Sequence, residues 1–105
     1  MASSREYLDY ILEQLSEVEG IAWRAMMGEY IIYHKGKVAG GVYDDRFLLK
    51  PTKTALRLMP DAEMQKPYDG AKEMLLVDNV EDREFLKELF DSMYAEQGEK
   101  ENGGK

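Results

Sequence analysis

Between residues 21 and 50 the chain allows itself only two residues or so for each change of direction, and that restricts its fold more than anything else. Short β-prone runs at 22–27, 29–34, 38–43 and 46–50 are punctuated by Gly28, Lys35-Gly36 and Asp44-Asp45. Glycine readily supplies the positive φ of a tight hairpin turn, and aspartate tolerates it better than most residues. Parallel neighbours need a crossover of a dozen residues or more, so links this short join antiparallel strands. An antiparallel meander is predicted.

Helical patterns flank the meander. Tyr7, Leu8, Ile11, Leu12, Leu15 and Val18 recur at three- and four-residue steps and predict a helix over 4–18. Ser3 with Glu6 three residues later fits a capping box at its start. Thr52 is placed to cap a short helix that runs to Met59 and stops at Pro60. Residues 60–72, with two prolines and Gly70, read as a loop, and the compact apolar run 74–77 as a fifth strand. Asp78 or Asn79 then caps a closing helix whose buried stripe is Phe85, Leu86, Leu89, Phe90 and Met93. The expected domain spans 1–95. The polar, glycine-containing stretch 96–105 is expected to be a disordered tail.

The order α-β-β-β-β-α-β-α predicts an α+β fold, a two-layer sandwich of helices on an antiparallel sheet of about five strands. Composition narrows the function. There is no cysteine and a single histidine, which removes disulfides, thiolate chemistry and paired-histidine zinc sites. A net charge of −7 opposes binding to a phosphate backbone, so no direct nucleic-acid partner is expected. The first residues lack the apolar centre of a signal peptide, and no apolar run approaches the roughly 20 residues that span a bilayer. A cytoplasmic location with no membrane partner is the expectation.

Side chains with chemical potential are few. His34, beside the Lys35-Gly36 turn, reads as a solvated hairpin-end histidine, because a general base needs a partner carboxylate and a pocket. Asp44-Asp45 and the 78–82 acidic stretch lack calcium-loop spacing and fit turn and capping roles. Neither a metal nor a cofactor nor a catalytic residue is expected. Gly40-Gly41 inside a strand marks a bulge or the close approach of another group. Arg24, Lys50, Lys53 and Lys72, walled by Tyr30, Tyr33, Tyr43 and Tyr68, are candidates for a small anionic-ligand pocket. Met26 and Met27 are candidates for an adaptable interface.

Four segments point to a family: Arg24-Ala25-Met26-Met27-Gly28-Glu29-Tyr30, Lys35-Gly36-Lys37-Val38, Phe47-Leu48-Leu49-Lys50-Pro51 and Tyr68-Asp69-Gly70-Ala71-Lys72-Glu73-Met74. Over roughly residues 5–95 the chain resembles the N-terminal domain of the TfoX (Sxy) family, bacterial regulators of competence. Family members typically show Met-Phe-Gly-Gly after a basic residue; here Met26-Met27-Gly28-Glu29 keeps the first methionine and first glycine. The resemblance implies a non-enzymatic domain that works through protein partners, and offers no catalytic residues to transfer. The family's regulators carry a second, helical domain, whereas this chain is expected to be a stand-alone member.

The leading functional expectation is a cytoplasmic protein-interaction domain of regulatory type, with a small anionic-ligand binder as the alternative. Self-association is also expected. Ile31 and Tyr33 oppose Tyr30 and Ile32 across the sheet, and Phe47 and Leu49 oppose Leu48, so both faces are apolar. Helices on one face would leave the other for a homodimer.

Overall fold

The computed structural model describes residues 3–103, with side chains as far as Glu96. Helix α1 (Arg5–Gln14) precedes the meander of β1 (Ile21–Met26), β2 (Glu29–His34), β3 (Lys37–Tyr43) and β4 (Arg46–Leu49). Helix α2 (Lys53–Leu58), strands β5 (Met64–Gln65) and β6 (Met74–Leu76) and helix α3 (Arg83–Gly103) complete the order. All pairings are antiparallel, in one six-stranded sheet ordered β1-β2-β3-β4-β6-β5. The α+β expectation holds, with one strand more. β5 lies within the segment read as a loop, and two residues are too few to leave a periodic signal.

The three meander turns share one backbone form. Met27-Gly28, Lys35-Gly36 and Asp44-Asp45 all have positive φ, between 52° and 85°. Two consecutive left-handed residues make the type I′ turn, whose twist matches that of the strands it joins. Met27 therefore belongs to the turn and not to the first strand, where the sequence pattern places it.

Helix starts also shift by a few residues. Ser4, not Ser3, caps α1, its hydroxyl accepting from the Tyr7 amide at 3.1 Å. Ser3 is occupied elsewhere: its hydroxyl donates to Glu29 at 2.6 Å and accepts from the Asp45 amide at 3.0 Å. These bonds tie the start of α1 to two hairpin turns. Thr52 caps α2 as expected, accepting from the Ala55 amide at 3.1 Å. Asp82 caps α3 in place of Asp78 or Asn79, because residues 79–82 first make a turn that buries Val80. Glu96 reaches back from α3 to accept from the Thr54 amide at 2.7 Å, a second cap on α2. α3 runs on through Gly103, past the 95 boundary drawn from composition, and residues 104–105 of the expected tail lie outside the described residues.

One sheet face carries the core. Ile32, Ala39, Val42, Phe47, Leu49 and Leu75 meet Leu8, Ile11 and Leu15 of the first helical segment, Ala55 of α2, and Leu86, Leu89 and Phe90 of α3. Phe47 and Phe90 stack with centroids 6.3 Å apart. Each valine, leucine, isoleucine or phenylalanine among them, fully buried, is worth about 1.5–3 kcal/mol of transfer free energy. All three helices add their buried residues to this one cluster, which makes the molecule two-layered. No helix among the described residues is long and apolar enough to cross a membrane.

Candidate functional site

The face away from the helices is half covered. Its central rung runs Arg24, Ile31, Gly41, Leu48 and Leu76 across five strands. Leu48 is fully buried yet lies outside the helix-side core. On this face the segment leaving β5 is clipped down by Arg46. That guanidinium donates to the Gln65 side chain at 2.6 Å and to the Lys66 and Pro67 carbonyls at 3.3 and 3.4 Å. Tyr68 of the segment lies over Tyr43, with centroids 6.3 Å apart.

Gly41 makes this possible. A Cβ there would sit 2.5 Å from the Tyr43 ring and 2.6 Å from the Tyr30 carbonyl, so the ring lies where a side chain would otherwise be. At Gly40 a Cβ would strike the Leu48 carbonyl. The β2–β3 register slips between Ile32 and Tyr33, leaving Ala39 as the extra residue. Both parts of the glycine reading, bulge and close backbone approach, are thus present.

Towards β1 the same face is open. Arg24, Met26, Ile31, Tyr33 and Val38 line it; none is fully buried, and Met26 and Val38 are exposed. At the hairpin tip beside it Met27 is 95% exposed. So exposed an apolar side chain contributes almost no burial, while its φ of +53° disfavours an L-residue by about 1–2 kcal/mol.

The candidate residues separate into groups. Tyr33 belongs to the open face, and Tyr43 and Tyr68 to the covered half. Burial raises the Tyr43 hydroxyl above the ordinary tyrosine pKa, with neighbouring Tyr68 and Glu29 adding to it. Tyr30 points the other way, packing on the helix-side core and edge-on to Trp23 at 5.6 Å. Arg24 sits three strand spacings from β4, roughly 14 Å, and so away from Lys50 at the end of that strand. Lys50 and Lys72 are both exposed, near the β4–β6 side, and Lys53 opens α2.

His34 departs from the expected solvated state. It is 3% exposed, between the rings of Phe90 and Tyr94 at 5.5 Å each. Two-residue alternation puts it on the same face as Ile32, under α3, although it ends a strand beside a turn. Burial, then the adjacent Lys35 charge, lowers its pKa below the usual histidine value, against the opposing pull of Asp91. Among the described residues its buried Nε2 has no hydrogen-bond partner.

A cleft of about 280 Å³ lies between α2 and the start of α3, lined by Leu58, Met59, Ala62, Leu76 and Phe85 with Asp61, Asp78 and Asn79. Its lining includes no cationic side chain and none of the lysines, arginines or tyrosines proposed for a ligand, so it is unsuited to an anion. Among the described residues no group of three or more histidine, aspartate or glutamate side chains is arranged to hold a metal ion.

Comparison with known proteins agrees with the resemblance in the residues. The family model for the TfoX N-terminal domain matches residues 13–96. The chain is also 34% identical over 80 residues to a Spirochaeta aurantia protein described as an uncharacterized 12.7 kDa protein in the trpE 5′ region. That match covers 76% of this chain and 70% of the relative. No solved structure matches.

Proposed function

The chain belongs to the TfoX N-terminal domain family, and from that premise we propose that it is a non-enzymatic, cytoplasmic protein-interaction module with a regulatory role. Its docking surface is the open sheet face of Arg24, Met26, Ile31, Tyr33 and Val38, with Met27 at the adjoining tip. The observation that carries this reading is Met27: an almost fully exposed apolar side chain at a left-handed turn position that asparagine or glycine fills with less strain. Residues that break local rules without structural return are commonly those selected for binding. Methionine suits such a surface because it is flexible and polarisable. The cleft rimmed by Asp61 and Asp78 supports no anionic-ligand reading beside this one.

The test is quantitative capture of proteins from a bacterial lysate on the immobilised chain, compared with Met27→Asn, Tyr33→Asp and a remote Lys87→Ala variant. A partner retained by the wild type and by Lys87→Ala, but lost by the two surface variants, supports the reading. Identical captured sets for all four chains refute it.

A further inference from the structure

Strand β1 ends the sheet, and among the described residues it pairs with β2 alone. Its free edge is six residues long, whereas β5 at the opposite edge has two. Unpaired amides along an edge template the addition of another strand, and proteins usually blunt them with proline, lysine, bulges or brevity. Ile21-Ala22-Trp23-Arg24-Ala25-Met26 has none of these devices. It carries one charge, keeps an unbroken register with β2, and every residue after Ile21 is exposed.

Which amides are free follows from the turn. A two-residue hairpin loop closes on a hydrogen-bonded pair, here Met26 with Glu29, and an antiparallel ladder alternates from there. Ala22, Arg24 and Met26 therefore direct their N–H and C=O groups at β2, and Ile21, Trp23 and Ala25 direct theirs outward. The Lys35 amide donating to the Gly20 carbonyl at 2.8 Å continues the same alternation.

We propose that a second copy of this chain occupies the edge, β1 against β1 antiparallel, with Trp23 opposite its own counterpart on a two-fold axis. An axis normal to the sheet opposes only residues of the same face, which leaves few registers. Centring on Arg24 sets two guanidinium groups against each other, an unfavourable like-charge pair, and leaves Ile21 facing the turn. Centring on Ala22 leaves Ala25 beyond the end of the partner strand. The Trp23-centred register pairs Ile21 with Ala25, Ala25 with Ile21 and Trp23 with Trp23, so every outward amide of both strands is matched. Arg24 then faces Ala22, and the two indoles form an aromatic pair. This register keeps the two Arg24 charges apart and matches every outward amide, which suits a second copy, and a closed two-fold dimer is the common outcome of such an isologous contact. The edge is distinct from the open face, so the inference does not depend on the proposed function.

Light scattering on a size-exclusion column tests it. The wild type is expected at twice the 12.1 kDa chain mass at high concentration. Ala25→Pro removes an outward N–H while leaving the ladder to β2 intact, a position where edge strands accept proline. Trp23→Lys installs a charge on the edge. Each is expected to run as a monomer with an unchanged far-ultraviolet circular dichroism spectrum, while Tyr33→Asp on the open face remains dimeric. If Ala25→Pro fails to fold, Trp23→Lys alone decides. A wild type that stays at the monomer mass at every concentration overturns the inference. So does a dimer that survives Trp23→Lys, or one that Tyr33→Asp abolishes, which would assign the contact to the open face.

Discussion

Replacing Met27 by asparagine is expected to stabilise the fold and weaken partner capture at once. The side chain is 95% exposed, so deleting it forfeits only about 0.1 kcal/mol of a buried methionine's ~1.5–3. The backbone stays at φ +53°, which disfavours an ordinary L-residue by about 1–2 kcal/mol. Asparagine accepts this conformation, and Asn-Gly is the favoured type I′ pair ahead of Gly28. Recovering half of the penalty gives about 0.5–1 kcal/mol, or a melting temperature higher by roughly 2–8 °C for a domain of this size. Thermal unfolding followed by circular dichroism measures it, with Met27→Ala as the control that removes the side chain but keeps the strain. A melting temperature for Met27→Asn at or below that of the wild type, or equal to that of Met27→Ala, refutes the argument that this position sacrifices stability for exposure.

Gly41→Ala is expected to destabilise by at least about 2 kcal/mol, since its Cβ meets both the Tyr43 ring and the Tyr30 backbone carbonyl; urea denaturation reads the loss. Because the His34 pKa is lower folded than unfolded, its contribution is complete above about pH 6.5 and is lost as pH falls towards the folded value, by up to about 1.4 kcal/mol per unit. Melting temperatures taken from pH 7.5 to 5.5 should fall for the wild type, and His34→Phe should flatten that slope. Glu96→Ala should cost about 0.5–2 kcal/mol by uncapping α2 at Thr54, visible as a lower thermal midpoint. No shift of duplex DNA is expected at physiological salt from a chain of net charge −7; a salt-sensitive complex at low micromolar protein in an electrophoretic assay would contradict this.

What the sequence determined by itself was what depends on neighbouring residues. Gly28, Lys35-Gly36 and Asp44-Asp45 set the turns because positive φ is a local steric matter, and turns that short leave no order but a meander. The helix stripes of Leu8 and Ile11, and of Leu86, Leu89 and Phe90, were legible for the same reason: a helix repeats within a few residues. The candidate surface was legible only in part, as the Met26-Met27 pair and the apolar residues of both sheet faces. Tertiary structure alone decided which face the helices take. Ile31 and Tyr33 are as apolar as Tyr30 and Ile32, so alternation has no preference between them, and the choice rests on packing between distant segments. That choice buried His34 beneath α3 and turned Tyr30 away from Tyr33. It also left the far face in part to a loop that Arg46 clips down, and beyond that loop to solvent. Such contacts join residues far apart in the chain, where no short-range periodicity can reach.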